Sequence, residues 1–445
     1  MAGAAAGLRK GVVRAPPTDG MDVLSVARDA LATGPLCDPC LGRLVADRSF
    51  GLTNRDRGHS LRVAVALADD EEFAPEAECW VCEGECARYD WWARTAAAAV
   101  QGYDFDTYQV GCRAPPLLEE NDRLLRADVG LAPEAGELLK SAFNREVGKR
   151  LGAETDTEVD FERPHVMLTC DLATDEVEAR VNSAFVYGRY RKLEREIPQT
   201  EWPCRECNGT GRQRDAVCPG CDGTGYRYDE SVEQLTAPVV REAMDGTDAT
   251  FHGAGREDVD ARMLGTGRPF VVEVDEPRRR DVDTDALETE VNEFADGTVE
   301  VEGLRPATHR MVERVKEHPA SKTYRLEVTL DAPVDRASFE GALRDLDGAT
   351  VSQETPQRVD HRRATKTRTR EVYDIDGDLD AGGRGATLEV HGEGGLYVKE
   401  LAHGDEGRTE PSLATLLGIE VTVTALDVLA VEGEDEPFEA EEYLL

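Results

Sequence analysis

Between residues 204 and 225 the chain carries one eight-residue pattern twice, as CRECNGTG and CPGCDGTG. Each copy reads C-x-x-C-x-G-x-G, which places two thiols on one tight knuckle, with Gly209 and Gly223 taking a turn geometry that a Cβ resists. The four thiolates of Cys204, Cys207, Cys218 and Cys221 satisfy a tetrahedral zinc ion at about 2.3 Å per bond. A site closed by four sulfurs has no open position, so it staples the chain and does no chemistry. The spacing predicts a compact metal module over residues 200–230.

A second set is spread more widely: Cys37 and Cys40, then Cys79 and Cys82, with Cys86 competing as a ligand. In a long chain without an apolar secretory core, eleven cysteines point to metal ligation rather than disulfides. The expectation is two structural zinc ions. Cys112 and Cys170 read as ordinary strand or core thiols.

The charge balance narrows the partners less than it first suggests. Asp and Glu number 90 against 52 Lys and Arg, for a net charge of −38, and only eight of the cations are lysines. An acidic, lysine-poor surface fits a protein that stays soluble in concentrated salt, where self-repulsion is screened within a few Å. The total therefore does not exclude nucleic acid; local patches decide. No apolar run reaches the roughly 18 residues of a membrane span. The opening MAGAAAGLRKGVVRAPPTDG is expected to be a disordered tail of a cytoplasmic protein.

Length and pattern imply several domains: the tail over 1–20, a zinc-binding region over 21–95, a mixed α/β segment over 96–199, the cysteine module over 200–230, and an α+β domain over 231–445. In that last domain PFVVEV, YRLEVTL, TLEVHG and IEVTVTALDVLAV read as strands, with helices near SVEQLTAPVVREAM and SFEGALRDL. This order suggests a mixed, mainly antiparallel sheet. The acidic end VEGEDEPFEAEEYLL is expected to be loose.

The stretch GREDVDARMLGTGRPF, residues 255–270, sets Asp258 and Asp260 two apart after Arg256. With it, KTYRLEV at 322–328, QETPQRVDHRRATKTRTREVYDI at 353–375, GGLYVKELAHGDEGRTEPSLATLLG at 394–418 and RYRKLEREIPQTEWPC at 189–204 resemble, in order, the Pus10 family of archaeal and eukaryotic tRNA pseudouridine synthases. The resemblance implies a pseudouridine-synthase catalytic domain behind a zinc-containing, THUMP-like RNA-binding region. It also implies an RNA isomerase that converts uridine 54, uridine 55 or both in the tRNA T arm to pseudouridine, with no catalytic cofactor.

By the same resemblance, Gly255-Arg256-Glu257-Asp258 reproduces the spacing around the catalytic carboxylate, which selects Asp258 over Asp260. Tyr324 takes the place of the tyrosine that stacks on the target base. Lys399 corresponds to the cation paired with the carboxylate, and Leu396 and Tyr397 form the wall beside it. Arg358, His361, Arg362, Arg363, Lys366, Arg368 and Arg370 are a dense positive run in a very acidic chain, suited to T-arm phosphates and exposed bases. His403 and Arg408 are supporting candidates.

Two other classes compete: a THUMP-type methyltransferase or thiolase, and a non-enzymatic zinc module like the DnaJ cysteine-rich region. The first needs a nucleotide or adenosylmethionine motif, and neither a Walker A loop nor a complete dinucleotide fingerprint is present. The second has four cysteine repeats where this chain has two. No protein partner is evident.

Overall fold

The computed structural model describes residues 22–133, 135–357 and 366–445. The tail over 1–20 and four of the expected RNA-contacting residues, Arg358, His361, Arg362 and Arg363, lie outside the described residues. The chain divides after Asn182 into two compact units.

The first unit is helical around a small sheet. Its elements are α1 (Val23–Ala32), α2 (Asp38–Arg43), α3 (Asn54–Asp69), α4 (Tyr89–Ala99), β1 (Thr107–Arg113), α5 (Pro116–Asp128), α6 (Leu139–Thr155), β2 (Glu158–Val159), β3 (Val166–Asp171) and β4 (Glu176–Val181). The strand order is β2-β1-β3-β4, with β1 parallel to both neighbours and β4 antiparallel to β3. Local sequence sets the helix starts: Asp22 caps α1, and Thr53 with Asp56 closes a capping box on α3. Trp92 and Phe143 pack edge to face at 5.7 Å in the core, which includes Cys40, Cys82 and Cys86.

The second unit is built on one ten-stranded sheet of order β10-β5-β9-β16-β11-β14-β13-β12-β15, with β8 also paired to β9. The elements in chain order are β5 (Ala184–Lys192), β6 (Arg212–Gln213), β7 (Ala216–Val217), α7 (Val232–Ala243), β8 (Asp248–Gly253), β9 (Arg262–Asp275), α8 (Thr284–Phe294), β10 (Val299–Ala307), α9 (Arg310–Glu317), β11 (Ala320–Leu330), α10 (Arg336–Leu346), β12 (Thr350–Glu354), β13 (Thr367–Leu379), β14 (Gly385–Gly392), α11 (Val398–His403), β15 (Thr409–Glu410), α12 (Leu413–Leu417) and β16 (Val421–Gly433). Among the described residues only β16 and β9 run parallel, through Asp427↔Arg262 and Val428↔Met263; the other pairings in this sheet are antiparallel. The α+β, mainly antiparallel expectation holds.

Two expectations change. Residues 184–192, grouped by sequence with the segment ending at 199, form β5 between β9 and β10 of the second unit. Residues 184–188 are buried on both faces of the strand, and Phe185, Val186 and Tyr187 join that unit's core. The acidic end is not loose either: Phe438 is fully buried, Leu445 N–H donates to Pro306 O at 3.0 Å, and Arg314 pairs with Glu436 at 2.7 Å. One buried phenyl ring fixes a segment whose charge alone argues for solvent.

Among the described residues, no helix is long and apolar enough to cross a membrane.

Candidate active site and cysteine centres

The loop between β8 and β9, residues 254–261, carries GREDVDA and stands where the two halves of the sheet meet. Its placement follows from register. Tyr324 on β11 lies opposite Val428 on β16, and Val428 lies opposite Met263 at the start of β9. That row of strands brings Tyr324 beside the loop.

Lys399, in the first turn of α11, reaches Asp258 Oδ2 and Asp260 Oδ2, each at 3.2 Å. Its side chain is 18% exposed, against 42% for Asp258 and 61% for Asp260. Burial, opposed by Arg268 and reinforced by Asp258, pushes the Tyr324 hydroxyl up to about 12. Tyr324 is therefore a neutral phenol at ordinary pH, fitted to stack or donate rather than to take a proton. Arg256 is exposed and makes no ion pair among the described residues. Lys322 Nζ comes within 3.7 Å of the place a Gly255 Cβ would occupy, adding a second ammonium near the loop.

Tyr397 stands at the N-cap of α11, fixed by reciprocal 2.9 Å hydrogen bonds to the buried Gln353 side chain: Tyr397 N–H donates to Oε1, and Nε2 donates to Tyr397 O. Arg368 on β13 donates to Tyr397 Oη at 2.6 Å and lies 5.8 Å from its ring centroid. Thus Asp258, Tyr324 and Lys399 gather at one place, while Tyr397, two residues before Lys399, is held by Gln353 and Arg368. Arg370 instead pairs with Glu393 at 3.1 Å, and Lys366 is exposed. Leu396 is buried, while His403 Nδ1 accepts from the Asp405 N–H at 3.0 Å. Arg408 is half-buried and offers its backbone O to Glu354 N–H at 3.0 Å.

Sequence reasoning missed what holds the loop from beneath. Glu257 points inward, its side chain 1% exposed, and accepts from Arg268 Nε at 2.8 Å and from Tyr190 Oη at 2.9 Å. Lys192 Nζ is 3.7 Å from Glu257 and donates to the backbone oxygens of Ile197, Asp258 and Val259 at 2.7, 3.3 and 3.2 Å. Burial pulls the Lys192 ammonium below its usual range, with Glu257 opposing and Arg268 assisting. Gln199 Nε2 donates to Tyr190 Oη at 2.9 Å and to Gly255 O at 2.8 Å. The one usable signal was Lys192 itself, a rare lysine within a strand.

Both cysteine groups have the geometry of a metal cage. In the second unit Cys204, Cys207, Cys218 and Cys221 lie together, with Cys204–Cys218 and Cys207–Cys221 sulfurs 3.9 and 3.7 Å apart. Around a tetrahedral zinc with bonds of about 2.3 Å, sulfurs stand about 3.8 Å apart. Gly211 and Gly225 N–H groups donate to Cys207 and Cys221 sulfurs at 3.3 and 3.2 Å. These two glycines also interlock the repeats: a Cβ on Gly211 would stand 2.3 Å from Gly223 O, and one on Gly225 2.4 Å from Gly209 O.

In the first unit the mutually close sulfurs are Cys37, Cys40, Cys82 and Cys86, with Cys37–Cys82 at 3.7 Å and Cys40–Cys86 at 3.8 Å. This corrects one expected ligand: Cys79 is buried but outside this set, and Cys86 takes its place. After Cys82 the chain turns through the left-handed residues Glu83 (φ 50°) and Gly84 (φ 92°), which brings Cys86 back toward Cys40. Four thiols at these separations fit zinc.

Sequence comparisons extend over both units. The model described as "Pus10 THUMP domain, archaeal" matches residues 92–171, and "Pus10, C-terminal" matches residues 185–432. A protein of Halorubrum lacusprofundi named tRNA pseudouridine synthase Pus10 is 65% identical over 95% of this chain and 99% of its own length. Its namesake from Methanothrix thermoacetophila is 41% identical over 94% of this chain and 97% of its own, and that of Pyrococcus furiosus is 35% identical over 92% and 98%. With its carboxylate loop, tyrosine and lysine already gathered at one site, the chain belongs to the Pus10 family.

Proposed function

We infer that the chain is a tRNA pseudouridine synthase in which Asp258 is the reacting carboxylate and uridine 54, uridine 55 or both in the T arm are the targets. The observation that carries the assignment is Lys399 within 3.2 Å of Asp258, beside the buried Tyr324. The reaction is an isomerisation: the N1–C1′ bond breaks, the base turns, C5 joins C1′, the C5 proton leaves and N1 gains one. No electrons are exchanged with a cofactor.

Asp258 acts either by attacking the sugar or by taking a proton from it. In both cases it acts as a carboxylate anion, and the Lys399 ammonium stands 3.2 Å from it. Extruding the uridine from the T loop costs a few kcal/mol, and stacking on Tyr324 offsets part of that. Arg256, Lys366 and Arg368, with the run from Arg358 through Arg370, supply cations for the phosphates near the flipped base. Zinc in the two cysteine cages, held by Cys37, Cys40, Cys82 and Cys86 and by Cys204, Cys207, Cys218 and Cys221, would stabilise structure and take no part in a reaction step. The cytoplasm, where tRNA and reduced thiols coexist, is the compartment consistent with this reading.

The test is to incubate Asp258→Ala and Asp260→Ala variants with unmodified tRNA and map pseudouridine. The Asp258 variant should lose roughly a thousandfold or more in rate. Full activity from that variant overturns the assignment.

A further inference from the structure

The arginines differ in what they meet. Across both units most guanidiniums meet a carboxylate, as Arg62 does Asp38, Arg145 does Glu137, Arg191 does Glu302 and Arg262 does Asp427. The knuckle gathers four arginines that do not. All four arginines between Cys204 and Arg227, namely Arg205, Arg212, Arg214 and Arg227, are exposed and make no ion pair among the described residues. The segment holds three acids, Glu206, Asp215 and Asp222, and none of them is paired with these cations.

Arg227 is held by aromatic rings instead. Its guanidinium lies 5.5 Å from the ring centroids of both Trp202 and Tyr228, which themselves meet edge to face at 5.5 Å. Arg227 N–H donates to Trp202 O at 2.9 Å, and Pro203 and Tyr226 form an antiparallel bridge, so the base of the knuckle is clamped. Arg212 begins the short β6–β7 hairpin and Arg214 sits in its turn, with φ of 53°.

The stem of this module is tied to the catalytic loop. Glu196 N–H donates to Val259 O at 3.0 Å, Arg195 Nη1 to Asp260 O at 2.8 Å, and Gln199 Nε2 to Gly255 O at 2.8 Å. The metal knuckle therefore leaves the fold from the loop that carries Asp258. Four thiolates around one divalent ion leave two negative charges within it, partly spread by the Gly211 and Gly225 N–H groups. The clustering of four unpaired arginines on one small module, not its total charge, is what marks it.

We propose that the knuckle is an RNA-docking finger, in which Arg205, Arg212, Arg214 and Arg227 contact phosphates of the same tRNA whose uridine enters the site at Asp258. This rests on the reading of the chain as a tRNA pseudouridine synthase. The zinc then has a second consequence beyond stapling: it would hold four cations on one rigid module, so little loop entropy is lost when RNA binds.

The experiment uses the full-length, zinc-loaded chain. Arg205, Arg212 and Arg214 are changed together to Gln, and separately to Lys. The Gln variant should keep the wild-type zinc content and weaken unmodified tRNA by about tenfold, with a slope of log affinity on log salt shallower by roughly 2–3 units. Its single-turnover rate at saturating tRNA should stay within about twofold, and the Lys variant should recover most of the affinity. Unchanged affinity and salt slope with zinc retained overturns the proposal. If the Gln variant loses zinc, a photo-cross-linker placed at position 214 of the otherwise unaltered chain decides: a tRNA cross-link supports docking, and its absence overturns it. Failure of the wild-type chain to form pseudouridine would instead defeat the underlying functional reading.

Discussion

Glu257 and Asp258 are adjacent carboxylates, and the structure sends them to opposite faces of one loop. Glu257 faces the interior, held by Arg268, Lys192 and Tyr190. Asp258 faces outward, with its neighbour Asp260, and both meet Lys399. Between nearly identical groups, burial decides the role: a fully enclosed carboxylate among cations is a fastener, because a substrate cannot reach it and its charge cannot be left unpaired. A carboxylate with one flank on a cation and the other open is free to react. The inner face fixes where the outer face points, since Lys192 also binds the Asp258 and Val259 carbonyl oxygens.

The contrast is broken most forcefully by Glu257→Gln. The substitution keeps the shape but leaves Arg268 and Lys192 as buried cations without their counter-charge, and breaking one partner of such a network costs about 3–5 kcal/mol. The denaturant midpoint should fall accordingly. The protein that remains folded should bind tRNA yet form pseudouridine more slowly, because Asp258 is no longer held in place. A stability equal to wild type would mean that the inner face is not a fastener.

Lys399→Met tests the outer face alone. The side chain is only partly exposed, so losing its charge should lower the single-turnover rate by roughly a hundredfold, in the range found when one preorganised charge is removed from a site. Stability should change by less than about 1 kcal/mol, as for other partly exposed pairs. An equal loss in both quantities would erase the distinction between the faces.

How much of this was legible in advance follows the same line. Asp258, Tyr324, Tyr397 and Lys399 were read from the resemblance of their local stretches to a family, and the fold brings Asp258, Tyr324 and Lys399 together. Lysine scarcity sharpened Lys399. Glu257 was invisible, because nothing in the string GREDVD says which of three acids turns inward; that is set by Lys192 and Arg268, on β5 and β9. Cys86 was open for a similar reason, since the spacing of Cys79 and Cys82 looks better in sequence than the left-handed turn at Glu83 and Gly84 that brings Cys86 inward. The final segment was misread because acidic composition outweighed a single residue, Phe438, whose ring the core covers.

Tyr324 borders both faces, since Arg268 and Asp258 each act on its hydroxyl. With the folded group raised from 10 to about 12, its contribution to stability is complete below pH 10 and is lost as pH rises toward 12. Over that window the wild-type chain should lose about 2–3 kcal/mol more than Tyr324→Phe, which has no proton to release. Parallel unfolding curves for the two proteins at rising pH read this difference directly. Superimposable losses would show that the hydroxyl is open to solvent, and the wall between the faces would not exist.

The smallest effect expected is that of Asp260→Asn. Asp260 shares Lys399 equally with Asp258 by distance, so geometry alone does not rank them. Exposure does: Asp260 is the more open of the two, and an exposed pair is worth at most about 1 kcal/mol and less in salt. Its backbone O, which accepts from Arg195, is untouched by the change, so the loop should keep its path. With Asp260 neutral, Lys399 settles on Asp258 alone, and the pseudouridine rate should move by less than about threefold in either direction. If instead Asp260→Asn abolishes turnover while Asp258→Asn preserves it, the two outer carboxylates exchange roles: Glu257 still fastens the loop, but the reacting group is the residue two positions further along it.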